Sequence, residues 1–172
     1  IGYMSKCLAD VGYQVVGFDL NTDAIAIAKS RNPNIDFFIS DASELIGTVS
    51  QYQYDLIMAR EVHCFSRIAD DLYHQNLVET YLGLLKPGGV LVIAHSRTGV
   101  DTQYPSIDFQ SLSKVLDSHK YLVAGPHFMF LYKHLKLFIP LRIVISIQSY
   151  VTRLIALLSG RRWIEFFILL KR

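Results

Sequence analysis

Short apolar runs, rich in β-branched residues, alternate with helical stretches through the first half of the chain. The runs are residues 15–18, 35–39, 56–59 and 90–94. Runs that are apolar on both faces are typical of strands buried in a parallel sheet. Because β-α units recur at short spacing, the pattern predicts a doubly wound α/β fold.

Capping and stop residues predict where the intervening helices begin and end. The first helix covers residues 3–11, and the second runs from about 23 to 31 behind a cap at Asn21 or Thr22. A third is expected to begin near Asp41 or Ser43. A fourth, over about 68–85, is predicted to stop at the turn 86–89, Lys-Pro-Gly-Gly.

Composition excludes a disordered chain and predicts one domain. The 172 residues are 51% hydrophobic and 19% charged. Cys7 and Cys64 have neither metal-ligand nor disulfide spacing, which favours thiols in a reducing cytosol, a cytoplasmic protein and no metal site. The net charge of +2 hides an asymmetry: residues 1–117 hold 8 basic against 14 acidic residues, whereas 118–172 hold 9 basic residues against Glu165 alone.

Polar residues follow the predicted strands, at the edge where open α/β sheets bind their ligands. They are Asp19, Asp41, Arg60-Glu61 and His95-Ser96. Asp19 follows Gly2, a glycine at the start of the first helix, and a carboxylate can accept from both hydroxyls of a ribose. A helix cap or a surface acid is the weaker reading of Asp19, because Asn21 and Thr22 already provide caps.

Asp41-Ala42 admits two interpretations that the residues alone leave open. The acid can accept from an adenine amino group while the small Ala42 leaves room for the ring. Alternatively, Asp41 caps a helix, with Glu44 as its capping-box partner.

The order of these motifs resembles that of the class I S-adenosylmethionine-dependent methyltransferases over roughly residues 1–97. Residues 1–3, Ile-Gly-Tyr, look like the end of their glycine-rich loop, which usually has three glycines at alternate positions. The other matching segments are 16–21 (VGFDLN), 40–42 (SDA), 54–62 (YDLIMAREV) and 84–91 (LLKPGGVL). Each motif alone has little specificity, and the five in this order have much more.

The resemblance implies both a fold and site residues. The fold is a three-layer, Rossmann-like, mostly parallel sheet of seven strands whose last strand is antiparallel, with 121–124 and 163–170 as the final hairpin. The implied cofactor, S-adenosylmethionine, would be packed by Gly2, bound at its ribose by Asp19, flanked at its adenine by Leu20 and Ala42, met at its amino group by Asp41, and contacted near its methionine by the backbone of Arg60.

The sequence departs from this family at its beginning. The first strand and the first glycines are missing, so the chain is expected to be N-terminally truncated. That strand lies between the second and fourth strands in this fold, so two half-sheets with facing edges are expected. We also expect poor stability and weak cofactor binding. Residues 1–172 are otherwise expected to form one domain, with 131–160 as a helical insertion or lid between the last two strands.

Two histidines are candidate general bases for the methyl acceptor. His63, just past the fourth strand of the family order, is the first candidate, and His95 is the second. A structural hydrogen bond at a strand end is the favoured reading of each. The resemblance predicts a small-molecule or lipid-like acceptor, and it leaves the acceptor atom and the oligomeric state open.

Residues 131–162 are apolar and basic, and several roles remain open for them. A lid or dimer contact is favoured, and a helix lying on a membrane surface is the sharper alternative. A transmembrane span is disfavoured because Arg142 and Arg153 interrupt the apolar run, and nucleic acid binding is disfavoured because no stacking platform is evident. A nicotinamide-dependent oxidoreductase and a non-catalytic module that binds a membrane or partner are the competing functions.

Overall fold

A computed structural model describes residues 2–44, 53–68, 70–97, 121–128 and 163–171. The elements in chain order are α1 (Tyr3–Asp10), β1 (Val16–Asp19), α2 (Thr22–Arg31), β2 (Asp36–Ile39), β3 (Tyr54–Arg60), α3 (His63–Ser66), α4 (Asp71–Gly83), β4 (Leu85–Arg97), β5 (Tyr121–Phe128) and β6 (Trp163–Lys171). The predicted helical insertion at 131–160 and most of the predicted helix that begins near residue 41 lie outside the described residues.

The chain divides into two compact units, Ile1–Gln51 and Tyr52–Arg172. The described strands form two sheets, one of two strands and one of four. This division into two partial sheets agrees with the expectation from sequence. Neither result tests whether the chain is one domain, which stays a prediction.

The first unit is a βαβ arrangement. β1 and β2 pair in parallel, with Val16 opposite Asp36 and Asp19 opposite Ile39. α2 begins as the sequence predicts, because the Asn21 side chain accepts a hydrogen bond from the Ala24 backbone N–H at 2.9 Å. A small hydrophobic core packs α2 against the two strands. It consists of Ile25, Ala28 and Phe37, with Ile35 packed against them.

The second unit contains a mixed sheet in the order β3-β4-β6-β5. β3 and β4 are parallel, whereas β6 is antiparallel to both of its neighbours. The predicted antiparallel last strand and final hairpin are therefore confirmed, although β5 continues to Phe128, beyond the predicted end at residue 124.

The turn at 86–89 requires a correction. α4 ends at Gly83, and the Lys-Pro-Gly-Gly segment belongs to β4 instead of stopping the helix. The ladder jumps from the pair Tyr54–Leu85 to the pair Leu56–Val90, so the segment forms an irregular excursion within the strand. Gly89 permits it, because a Cβ there would lie 2.8 Å from the Lys86 carbonyl oxygen. The proline and glycines of this segment correctly indicate an irregular backbone, but the sequence prediction placed it at the end of α4 and not within β4.

α4 packs its apolar side in the core of the second unit. The buried residues of this unit include Leu77, Val78, Tyr81, Leu82, Leu85, Leu91, Ile93 and Leu169. The helix is capped by Asp70, whose Oδ1 accepts from the Tyr73 backbone N–H at 2.9 Å. In the parts of the chain with described structure, no helix has the length and apolarity needed to cross a membrane.

Candidate functional site

The carboxyl end of β1 presents the Asp19 carboxylate at the surface. Its Oδ1 accepts a hydrogen bond from the Asn21 backbone N–H at 2.9 Å. This is an Asx turn, in which a side chain bonds to the backbone two residues further on. Asp19 Oδ2 makes no hydrogen bond with any other described residue. Since the helix cap is Asn21, the carboxylate keeps one oxygen available for a ligand donor.

A hollow of about 80 Å³ lies beside this carboxylate. Its lining residues are Gly2, Ser5, Gly17, Phe18, Asp19, Ala24, Ile25, Ala28 and Phe37. Sites for small molecules usually enclose about 300–1,000 Å³, so this hollow is too small to hold a whole ligand and can accommodate only part of one. It nevertheless brings Gly2 and Asp19, which are far apart in sequence, to one place.

Gly2 is required for packing as well as for its backbone conformation. Its φ is +70°, in the left-handed region, and it immediately precedes α1. A Cβ there would lie 2.8 Å from Asn32 Nδ2 and 3.1 Å from the Ala28 side chain. The structure therefore gives Gly2 a role in bringing α1 against α2, and its contact with a cofactor stays a prediction.

The carboxyl end of β2 carries the second predicted segment. Asp41 Oδ1 accepts from both the backbone N–H and the hydroxyl of Ser43 at 2.8 Å. The Glu44 N–H bonds to the Asp41 carbonyl at 3.0 Å, and the Ser40 N–H bonds to the Asp19 carbonyl at 3.2 Å. Asp41 thus closes a local turn, and its bond from the Ser43 N–H is also one that a helix-capping residue makes, so both interpretations of Asp41 remain open. Ala42 follows within this turn and is half-buried.

Apolar side chains are exposed at the same strand ends. Leu20 is 59% exposed directly after Asp19, and Ile39 is 55% exposed at the end of β2. An exposed aliphatic side chain beside an acceptor carboxylate is suited to a ligand with an apolar ring and a hydroxylated part. Leu20 and Asp19 are therefore available for the roles that the sequence predicts.

In the second unit, β3 ends with Arg60, and His63 begins the next helical segment three residues further along the chain. Both side chains are exposed. Glu61 between them has φ +53°, a left-handed conformation that is unfavourable for a residue with a side chain. Its backbone N–H donates to the Ala94 carbonyl of β4 at 2.8 Å, which fixes the chain at this point.

His74 is a residue that the sequence analysis missed. It lies in α4, is 2% exposed, and its Nε2 is 2.9 Å from the Cys64 carbonyl oxygen in α3. A carbonyl only accepts, so the Nε2–H of His74 donates this bond. The helical spacing of His74 with Leu77, Val78 and Tyr81 was the available signal, because it places the histidine on the buried face.

Comparisons with known proteins agree with this architecture. Residues 1–93 match the model of a family described as a methyltransferase domain. Across the described residues, no cluster of histidine, cysteine and acidic side chains could hold a metal ion. No curated protein matches the chain.

Solved structures with the same fold include an N-methyltransferase, NodS, from Bradyrhizobium japonicum in complex with S-adenosylhomocysteine. It is 14% identical, with a TM-score of 0.62 over 99% of this chain and 72% of that one. An rRNA methylase from Streptococcus thermophilus is 14% identical, with a TM-score of 0.54 over 99% of this chain and 80% of that one. The StiE O-MT structure is 18% identical, with a TM-score of 0.58 over 99% and 64% of the two chains. At these identities the similarities establish the Rossmann-like fold alone.

Proposed function

We propose a methyl-transfer function for this chain, which belongs to the methyltransferase domain family. The family indicates S-adenosylmethionine as the cofactor, and the proposed acceptor is a small or lipid-like molecule. When bound, the cofactor supplies an electrophilic methyl group on a sulfonium. Family membership favours this function over a nicotinamide-dependent oxidoreductase.

The observation that carries the proposal is the Asp19 carboxylate. Its Oδ1 accepts from the Asn21 N–H, and its Oδ2, which bonds no other described residue, is left available to a ribose hydroxyl. A carboxylate already oriented by its own backbone loses little freedom when it binds, which favours affinity. The residues present therefore fit the ribose part of the cofactor.

The neighbouring residues fit the adenine part by their chemistry. Leu20 offers an exposed aliphatic surface, and Ala42 has a small side chain beside the turn that Asp41 closes. In the proposal, Leu20 and Ala42 flank the ring, and Asp41 accepts from its amino group. Arg60 is proposed to contribute backbone contacts to the methionine part.

His63 is the proposed base where the acceptor needs one. An amine or thiolate that is already deprotonated needs positioning alone, whereas a hydroxyl must lose a proton to a group within hydrogen-bond reach. The exposure of His63 in a segment anchored at Glu61 supports this role. Loss of activity in His63→Gln with a hydroxyl acceptor, but not with an amine, would identify it as a base.

Support for a lipid-like acceptor comes from the sequence of the C-terminal third. Residues 118–172 combine 9 basic side chains with a single acid among many aliphatic residues. This composition suits contact with an anionic lipid surface. We accordingly propose that the protein is cytoplasmic and contacts membranes peripherally through residues 131–162.

Calorimetric titration of the chain with S-adenosylhomocysteine tests the proposed cofactor. Binding that is lost in Asp19→Ala supports it, and a parallel fluorescence titration with reduced nicotinamide cofactor tests the oxidoreductase alternative. A folded sample that binds only the nicotinamide cofactor would exclude methyl transfer.

Transfer of labelled methyl groups tests the proposed acceptor. The chain is incubated with labelled cofactor and either a lipid extract or an aqueous metabolite extract. Label that enters either extract and disappears with Asp19→Ala supports an enzyme. Liposome binding that persists in Asp19→Ala, with no labelled product, would instead support a non-catalytic membrane-binding module.

A further inference from the structure

α3 depends on its surroundings for its position. It has only four residues, too few to form a stable helix alone, and no side chain caps its first turn. At its two ends, the Phe65 N–H donates to the Val62 carbonyl at 3.0 Å and the Arg67 N–H donates to the His63 carbonyl at 2.8 Å. Tertiary contacts must therefore decide where α3 lies.

His74 makes two of those contacts. Its Nε2 donates to the Cys64 carbonyl at 2.9 Å, and its ring lies 6.2 Å from the Phe65 ring, centroid to centroid. Phe65 also meets Tyr81 edge to face at 5.8 Å. Cys64 and Phe65 are 0% and 1% exposed, so the bond from His74 is made away from water, where the loss of a hydrogen bond is costly.

The segment that carries His63 is therefore fixed on both sides. Before His63, the Glu61 N–H is bonded to the Ala94 carbonyl of β4. After it, the Cys64 carbonyl is bonded to His74 of α4. His63 itself is exposed between these two anchors. Its position is therefore set by the bonds that Glu61 and Cys64 make with β4 and α4.

We propose that His74 is a positioning residue of the methyl-transfer site, which holds α3 through the Cys64 carbonyl and so fixes His63 relative to the methyl acceptor. The inference rests on the proposed function. It assigns His74 no contact with substrate or cofactor. Errors of about 1 Å in the placement of a reacting group can lower a rate about 100-fold, so a buried bond one residue from His63 is able to affect the reaction.

Two variants separate the hydrogen bond from the volume of the side chain. His74→Gln keeps an N–H at about the reach of Nε2, whereas His74→Met has similar length and no donor. We expect His74→Met to lower kcat about tenfold or more with unchanged affinity for S-adenosylhomocysteine, and His74→Gln to stay within about threefold of the parent. Equal kcat in both variants and the parent would overturn the proposal. So would equal losses in both variants, or a loss of cofactor affinity in parallel with kcat.

Amide hydrogen exchange supplies a readout that needs no activity. In His74→Met, exchange at the Phe65 and Arg67 amides should become faster, while His74→Gln should leave it close to that of the parent. Unchanged exchange in His74→Met would overturn the proposal even if the chain is a methyltransferase. Failure of the parent to bind S-adenosylhomocysteine would instead contradict the proposed function, and faster exchange in His74→Met would then still show that His74 holds α3, though not for methyl transfer.

Discussion

The backbone N–H of Asn21 donates to Oδ1 of Asp19 at 2.9 Å, so the acid at the end of β1 is oriented by the residue that also caps α2. One short segment thus both starts a helix and presents a carboxylate. This coupling allows the charge of Asp19 to be removed without removing its local turn.

Asp19→Asn should therefore weaken binding of S-adenosylhomocysteine with little change in stability. The amide oxygen can still accept from Asn21, but the charged acceptor is lost, at a cost of about 1.5–3 kcal/mol, or roughly 10–100-fold in Kd. Calorimetric titration and thermal melts measure the two effects. Asp23→Asn, which changes an exposed acid in the first turn of α2, should bind as the parent does. If Asp19→Asn also binds as the parent does, Asp19 does not hold the ribose.

The cap of α2 can be tested, because the sequence leaves the choice between Asn21 and Thr22 undecided. Asn21→Ala removes the acceptor for the Ala24 N–H and should lower the free energy of unfolding by about 0.5–2 kcal/mol. Thr22→Ala, in the exposed first turn, should have a much smaller effect. Urea titration of both variants measures the difference, and the reverse order of stabilities would assign the cap to Thr22.

The strands and helices that the sequence predicts well are those with local signals. α2 is one example, because Asn21 and Asn32 mark its ends and its boundaries differ from the prediction by a single residue. The excursion in β4 was predicted wrongly because its position depends on pairing with Tyr54 and Leu56, far away in sequence. Pairing between distant strands is not encoded in a local turn motif.

The same distinction applies to the candidate site. Asp19 and Asp41 could be selected because strand ends carry ligands, and their turns are local. The packing of Gly2 on Ala28 and the bond from His74 to Cys64 are tertiary contacts, which spacing alone does not specify. The cofactor roles of the predicted residues stay predictions until binding is measured.

Gly17 should be difficult to replace, because the Phe37 ring occupies the space of a side chain. A Cβ on Gly17 would lie 2.5 Å from the ring, and Phe37 is only 4% exposed. We expect Gly17→Ala to lower the free energy of unfolding by about 1–3 kcal/mol as the ring is displaced. Gly83→Ala, at the end of α4 with open space around it, is the matched control and should be neutral or slightly stabilising. Equal stability of Gly17→Ala and the parent would show that Phe37 moves at no cost.

Stability at alkaline pH should depend on Lys6. Its ammonium lies 2.8 and 3.0 Å from the two carboxylate oxygens of Asp10, and this hydrogen bond, together with the opposite charge, raises the pKa of Lys6 above 10.5. A raised pKa in the folded state means that the stabilisation is complete below pH about 10.5 and is lost as the pH rises through the folded value.

Urea melts of the parent and Lys6→Gln across this range measure the effect. The parent should lose stability more steeply above pH about 10.5. The difference should be small because both side chains are more than half exposed. The pKa of Tyr3 is also raised, chiefly by a hydrogen bond with Cys7, so some alkaline dependence should remain in Lys6→Gln. Identical slopes would show that the pair contributes nothing to folding.

The strained backbone at Glu61 can be tested with two variants that both lack its carboxylate. Glu61 has a φ of +53°, so Glu61→Ala keeps the strain of the left-handed conformation, whereas Glu61→Gly removes it. The strain costs about 1–2 kcal/mol, and the greater freedom of glycine in the unfolded chain offsets part of it. We therefore expect Glu61→Gly to be more stable than Glu61→Ala by roughly 0.5–1 kcal/mol in urea titrations. Because both variants lose the same side-chain contacts, an alanine variant more stable than the glycine variant would show that this position, two residues before His63, is not strained.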